Sequence, residues 1–163
     1  MNIFVLDQDP EVAAQYACDK HVVKMILETA QLLCGVYEEN YYCDKCGEVP
    51  YKRTHYNHPC AIWARSSLEN FNWLIRHGLA LSREYTKRYG KTHKSERVIM
   101  YCAWHSPGIE SLGLTEFAQA MPEAYKMDDA VEAYRLYYMK EKNTFAKWAK
   151  VPTPIWWEKG VSN

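Results

Sequence analysis

The sequence lacks an excess of charge of either sign and lacks long apolar runs. Lysine and arginine together number 20, as do aspartate and glutamate, so the formal net charge is zero. A polyanionic partner would therefore have to bind a local patch. No stretch approaches the roughly 20 apolar residues that span a bilayer, and the N-terminus MNIFVLDQDP does not have the form of a signal peptide. We expect no membrane association and a cytoplasmic location.

Strand patterns and internal repeats are also missing. Apart from residues 3–6, no segment has a strand-like pattern, and the seven prolines and seven glycines are scattered between segments of helical period. With 163 residues, of which 48% are apolar and 14% aromatic, the chain can fill one core. We predict an all-α protein: a compact single-domain bundle of four to five helices over residues 1–163, with a short extended N-terminal segment.

Capping residues and prolines set the bounds of the predicted helices. The first begins at Asp9-Pro10 and runs to about residue 38 as one continuous helix. The others are expected at residues 58–67, 67–90, 94–105 and 128–150. The aromatic tail of residues 152–160 is expected to pack back on the bundle.

Residues 39–58 are interpreted as an inserted loop, because they combine Gly, Pro, Asn and cysteines without apolar periodicity. Six cysteines in a chain without a secretion signal favour free thiols or metal ligands over disulfides. The stretch Cys43-Asp-Lys-Cys46-Gly has the form of a zinc knuckle. The predicted ligands of a structural Zn²⁺ are Cys43, Cys46, His55 and Cys60, with His58 as an alternative. Without a metal, we expect this loop to be mobile. No organic cofactor is evident.

A narrow row of polar side chains crosses the otherwise apolar first helix. In helical projection they fall in a wedge of roughly 100°, and they are Lys20, His21, Lys24, Glu28 and Gln31. The last four stack over successive turns, as in a site that combines acid, base and hydrogen-bonding groups. A water-facing stripe is the alternative interpretation. We predict that His21, Lys24 and Glu28 are catalytic and that Lys20 and Gln31 bind substrate.

Two further groups of residues are candidates for binding a nucleotide. The first mixes polar and aromatic side chains suited to stacking a base and contacting its edge or phosphate, and its members are His58, Trp63, Arg65 and Asn70. The second lies in EYTKRYGKTHKSER, residues 84–97, the one strongly basic segment, and its members are Arg88, Lys91, His93 and Lys94. An aromatic core and a solvated surface, respectively, are the alternatives.

The chain resembles a group of small uncharacterised phage-encoded proteins in five segments: NIFVLD, DKHVVKMILETAQ, HPCAIWARSSLENFNWL, EYTKRYGKTHK and FAQAMPEAY. More remotely, its layout resembles the phage pyrimidine-dimer DNA glycosylase called endonuclease V, with an extended N-terminus, a first helix carrying a glutamate and basic residues, and an aromatic C-terminus. This resemblance implies a compact all-α enzyme in an infected bacterial host. Such an enzyme flips a base out of DNA and attacks the sugar with an amine.

The glycosylase resemblance also implies roles for single residues. Glu28 or His21 would be the acid or base, and Lys20 and Lys24 would contact phosphate or the electrophile. Arg65 and Arg88 would contact the DNA backbone. The related enzyme exposes its nucleophilic α-amine by removal of Met, whereas Asn2 is too large for efficient removal. The terminal amine is therefore displaced by one residue, and Lys24 is the alternative nucleophile.

We therefore predict a DNA-processing enzyme that acts on a pyrimidine nucleotide, with DNA or a nucleotide as its partner. The reaction is either base excision by glycosylase-type chemistry or transfer to a modified thymine base, in which His21 or Glu28 accepts a proton. Two alternatives come from other classes of protein. One is a zinc-stabilised helical adaptor that binds a host protein through Trp156 and Trp157, and the other is a protein that holds a nucleotide without turnover.

Overall fold

A computed structural model describes residues 1–157 of the chain. Between residues 10 and 141 it contains α1 Pro10–Tyr16, α2 Asp19–Cys34, α3 Pro59–Ser66, α4 Leu68–Tyr89, α5 Glu96–Trp104 and α6 Ala130–Glu141. A hairpin pairs β1 Tyr42–Cys43 with β2 Gly47–Glu48, and a short 3-10 helix covers Glu123–Tyr125. The all-α prediction is confirmed. Over the described residues, we find no helix with both the length and the apolar character that a bilayer crossing requires.

Helix α4 is the centre of the packing and contacts α1, α2, α3 and α5. Its N-terminus is capped by the Ser67 hydroxyl, which accepts from the Asn70 N–H, and its C-terminus ends at Gly90 with a φ of +71°. Both caps are those predicted from the sequence. The buried face of α4 includes Phe71, Leu74 and Leu81, which join the core.

The first predicted helix is two helices, because the chain is extended at Ala17 and Cys18. Neither residue is a proline or a glycine, so no local signal marks the break. We expected a continuous helix from Pro10 to about residue 38. This break accounts for one helix beyond the four or five that we predicted.

A buried guanidinium stabilises this break. Arg88 of α4 donates to the carbonyl oxygens of Gln15 and Ala17 at 3.0 and 2.7 Å. In a continuous helix, those two oxygens would accept from backbone N–H groups four residues further on. The remaining N–H groups of Arg88 bind the carboxylates of Glu84 and Asp19. The carbonyls at the break are thus satisfied by a side chain from another helix.

The C-terminal segment docks at the same break, which is why α6 is shorter than predicted. Asp19 donates its N–H to the Lys147 carbonyl at 2.8 Å, and its carboxylate accepts from the Ala149 N–H at 2.9 Å. The Trp148 indole donates to the Tyr16 carbonyl. These contacts fix residues 147–149 outside a helix. At its start, α6 is capped by Asp129, one residue beyond the predicted Asp128.

The aromatic tail packs back as expected over the residues that the structure describes. The rings of Trp156 and Trp157 lie 6.2 and 6.3 Å from that of Tyr138. The end of the predicted tail, residues 158–160, lies outside the described residues. The hairpin β1–β2 lies within residues 39–58, so this segment is not the irregular loop that its composition predicts.

Candidate active site

The N-terminal segment turns back sharply and places its first residue against α2. The Asn2 side chain accepts from the N–H groups of Ile3 and Phe4 at 2.8 and 3.1 Å, and it donates to the Ala120 carbonyl at 2.8 Å. Phe4 has a φ of +56°, a conformation that is strained for a bulky side chain. These local bonds and this strained residue direct Met1 toward the polar row of α2.

An amine and a carboxylate meet at this point. The α-amine nitrogen of Met1 lies 3.3 Å from Glu28 Oε1. The other carboxylate oxygen of Glu28 lies 3.9 Å from Lys24 Nζ. The Lys24 side chain is 70% exposed, whereas that of Glu28 is 12% exposed. An amine beside a largely buried carboxylate can act as a nucleophile next to a proton acceptor.

This pair lines a cavity of about 650 Å³, a size typical of small-molecule sites. The cavity is lined by four lysines, Lys20, Lys24, Lys126 and Lys142. Among the described residues that line it, Glu28 is the only carboxylate. The cavity wall is therefore cationic in a chain whose net charge is zero, and it suits an anionic ligand.

His21 forms a buried part of the cavity wall. Its ring stacks on Phe4, with ring centroids 4.3 Å apart, and its Nδ1 lies 2.7 Å from the Tyr138 hydroxyl. Burial is the main reason that the pKa of His21 is lowered to about 3, and the charges of Lys142, Lys24 and Lys20 lower it further. His21 is therefore neutral at pH 7. It can position a ligand or accept a hydrogen bond, but it is not a proton donor of imidazolium type.

His58 joins the cavity from α3. It caps that helix by accepting the Cys60 N–H on Nδ1 at 3.0 Å. Burial is the largest cause that lowers the pKa of His58, followed by the Met1 amine and His55, while Glu28 opposes the shift. The structure thus brings together five of the predicted site residues: His21, Lys24, Glu28, Lys20 and His58.

Three predicted substrate-binding residues lie inside the fold instead. Asn70 is fully buried, where it donates to the Trp63 carbonyl and binds the backbone and hydroxyl of Thr115. Trp63 packs against Trp73 in the core. All five N–H groups of Arg88 have acceptors within the protein, which leaves none for a phosphate. We correct these three assignments to structural roles, because burial separates the side chains from any ligand.

The other predicted substrate-binding residues lie on the surface away from the cavity lining. The Arg65 guanidinium stacks on the Tyr56 ring at 3.8 Å. Gln31 lies in a separate shallow depression, although it continues the row of α2. Lys91 and Lys94 are exposed, and His93 binds the Val23 carbonyl through Nε2 at 3.1 Å. The basic segment and the cavity are therefore separate features.

The predicted metal ligands are grouped differently from the expectation. Cys43 and Cys46 lie with His105, and one ligand atom from each falls within 4.8 Å of the others. His55 instead binds Thr54 through Nδ1. Cys60 is buried in the core, where burial raises the pKa of its thiol to about 12. His105 was missed, because nothing in its local sequence connects it with a cysteine pair so far away along the chain.

Several residues that line the cavity were also missed. They are Met1, Asn2, Phe4, Gln119, Lys126, Tyr137, Lys142 and Phe145. The glycosylase resemblance implies a terminal amine as nucleophile, but the predicted catalytic residues all lie on α2. Lys126 and Lys142 come from the C-terminal third of the chain, and no pattern in the sequence places them opposite α2.

A comparison with known protein families identifies the family of this chain. A family model described as pyrimidine dimer DNA glycosylase matches residues 1–97. The chain belongs to this family. Searches of curated proteins and of solved structures each found no match. The resemblance to pyrimidine-dimer glycosylases inferred from the sequence is thereby confirmed.

The match to the pyrimidine dimer DNA glycosylase family includes only part of the cavity. Met1, Lys24, Glu28 and His58 lie within residues 1–97. Lys126 and Lys142 lie beyond them. The amine and carboxylate thus belong to the part of the chain that matches the family, whereas half of the lysines in the wall come from outside it.

Proposed function

We propose that this protein is a DNA glycosylase that excises a base of a pyrimidine dimer, with the α-amine of Met1 as nucleophile and Glu28 as its acid-base partner. The observation that carries the proposal is the 3.3 Å separation of the amine and the carboxylate in the wall of a cationic cavity. The family description names the substrate class.

The α-amine is better placed than the Lys24 amine for this role. Lys24 Nζ lies 3.9 Å from Glu28 at the end of an exposed side chain, which is free to move. Met1 is held by the turn at Asn2 and Phe4. Position therefore favours Met1.

The cavity wall supplies contacts for the rest of the substrate. Lys20, Lys24, Lys126 and Lys142 are suited to phosphates on either side of an extruded nucleotide. Phe4 and Phe145 line the same cavity and offer rings on which a pyrimidine can stack. A nucleotide flipped out of the duplex would thus bring its sugar to the amine.

The proposed reaction forms one bond as another breaks. The amine lone pair attacks C1′ of the deoxyribose, and the glycosidic bond breaks, so that the pyrimidine nitrogen keeps the bonding electrons and takes up a proton from water. The nitrogen that has attacked C1′ loses its own proton to Glu28. Glu28 then returns this proton to the ring oxygen O4′ as the C1′–O4′ bond breaks, and the nitrogen lone pair forms a protonated imine with C1′. Hydrolysis of this imine releases the enzyme.

The test uses a duplex oligonucleotide that contains one cyclobutane pyrimidine dimer. We expect borohydride to trap a covalent protein–DNA adduct, and peptide mapping to place the adduct on the α-nitrogen of Met1. Glu28→Gln is expected to lower the excision rate by at least about 100-fold. Because the Met1 amine and the Glu28 side chain are 3% and 12% exposed, loss of their ion pair is also expected to lower the free energy of unfolding. Excision is therefore compared at a temperature at which both proteins are shown to be folded.

Lys24→Ala is the matched control, because Lys24 lies on the same helix one turn earlier and also contacts Glu28. This variant is expected to bind DNA more weakly but to give the same adduct at saturating DNA. An adduct that maps to Lys24, or excision that survives in Glu28→Gln, contradicts the proposal. A gain of mass on thymine with both glycosidic bonds of the dimer intact would instead identify a transferase.

A further inference from the structure

Cys43 and Cys46 lie at the two sides of the hairpin turn, beyond which Tyr101 and His105 approach from the end of α5. One ligand atom each from Cys43, Cys46 and His105 falls within 4.8 Å of the others. None of the three lines the candidate active-site cavity. The group therefore needs an explanation separate from base excision.

The turn between the cysteines has the conformation of a metal-binding knuckle. The hairpin pairs Cys43 with Gly47, so that Cys46 lies one residue before the paired glycine. Gly47 follows with a φ of +82°, which side chains rarely adopt, although nothing lies within 4 Å of an added Cβ. Gly47 is thus required by the backbone of the turn and not by a lack of space. The conformation directs both sulfurs to the same side.

His105 is oriented for metal binding by a second hydrogen bond. Its Nδ1–H donates to the Tyr101 carbonyl at 2.6 Å, which leaves the lone pair of Nε2 free. The ring also stacks on that of Tyr101, with centroids 4.1 Å apart. The Tyr101 hydroxyl donates to the Gly47 carbonyl at 3.1 Å. Tyr101 therefore orients the His105 imidazole and also binds the hairpin. Metal-bound histidines are commonly oriented by such a hydrogen bond from the other ring nitrogen.

We propose that Cys43, Cys46 and His105 bind one Zn²⁺, which fastens the hairpin to the end of α5. Two thiolates and an imidazole are the ligands that zinc prefers, and its tetrahedral geometry leaves a fourth position for water. In the described residues, no fourth His, Cys, Asp or Glu joins the group. Each cysteine loses its thiol proton on binding, so the two thiolates balance the charge of the ion.

The first test measures zinc binding to the full-length protein after dialysis against a chelator. Titration with Zn²⁺ against a chromogenic chelator is expected to show one bound ion per chain and a rise in the melting temperature. Co²⁺ in place of Zn²⁺ is expected to give thiolate-to-metal charge-transfer absorption, which reports cysteine ligands directly.

Variants distinguish this ligand set from the one that sequence spacing favoured. His105→Gln is expected to weaken Zn²⁺ binding by at least about tenfold, and Cys43→Ser is expected to lower the intensity of the charge-transfer band. His55→Gln and Cys60→Ala are the controls and are expected to leave the affinity unchanged. Absence of binding, a Cys43–Cys46 disulfide in the purified protein, or a loss of affinity in the His55→Gln control only would overturn the proposal.

Discussion

At the scale of the residue, Arg88 is a cation whose partners all belong to the protein. Arg88 is 1% exposed, and its guanidinium donates hydrogen bonds to two carboxylates and two backbone carbonyl oxygens. Its position in a basic segment of the sequence suggested a phosphate contact. The segment is basic, but its members differ: Lys91 and Lys94 point to solvent, while Arg88 stabilises the α1–α2 junction.

Replacement of Arg88 by Met is expected to destabilise the protein by about 3–5 kcal/mol, because two carboxylates and two carbonyls lose their donor. Urea denaturation at neutral pH measures the change. Arg83→Met is the control, since Arg83 lies on the same helix, is 61% exposed and forms only a long ion pair with Glu11. Its expected cost is below about 1 kcal/mol. Equal losses in the two variants would show that the buried network is not what stabilises the junction.

At the scale of the element, helix ends predicted from caps agree with the structure where the caps are local. Ser67 and Gly90 bound α4 as expected, and Asp9 caps α1 through the Glu11 N–H. The ends of α1 and α6 were missed, because contacts with distant segments determine them. A cap acts within one turn of its helix, whereas the docking of residues 147–149 at Asp19 joins parts of the chain far apart in sequence.

The two helix C-terminal glycines offer a matched comparison. Gly90 has a φ of +71°, so Gly90→Ala is expected to cost about 1–2 kcal/mol in stability through left-handed strain. Gly35 has a φ of −70° and room for an added Cβ, so Gly35→Ala is expected to be neutral or stabilising by about 0.4–1 kcal/mol. Thermal and urea unfolding of both variants measure the difference. The same sign of change in both would contradict the assigned cap conformation.

At the scale of the whole molecule, the net charge is zero, but the charged side chains are distributed unevenly over the surface. Four lysines surround the cavity with one carboxylate, while acidic residues elsewhere balance the total. Two of these lysines precede residue 97 and two follow it. The cationic surface thus exists only after α2 and the C-terminal segment have packed together, and composition could not reveal it.

Two buried histidines are expected to make the stability of the whole molecule depend on pH. Burial lowers the pKa of His21 to about 3 and that of His77 to about 4, and His21 also faces Lys142, Lys24 and Lys20. Both are neutral in the folded protein and take up a proton on unfolding. Their contribution is therefore complete above pH 6.5 and is lost as pH falls. We expect the free energy of unfolding to fall below about pH 6.5 by up to about 1.4 kcal/mol per pH unit for each histidine.

Urea denaturation at several values between about pH 5 and about pH 7.5, an interval that spans the ordinary histidine pKa of about 6.5, measures this dependence. His77→Phe removes one of the two groups and is expected to reduce the slope by about half, whatever its effect on absolute stability. Histidine NMR signals provide a second readout, since His21 and His77 are expected not to titrate over this interval. A slope unchanged in His77→Phe would refute the assignment.

The sequence by itself determined the helical class, most helix ends and the row of His21, Lys24 and Glu28, because each depends on residues within a few positions of one another. Helical periodicity places such residues on one side of a helix without reference to the remainder of the chain. Tertiary structure alone decided that Met1 meets Glu28, that Lys126 and Lys142 complete the cavity, and that His105 joins the two cysteines. These groups are far apart along the chain, and only packing of the whole core brings them within reach of one another.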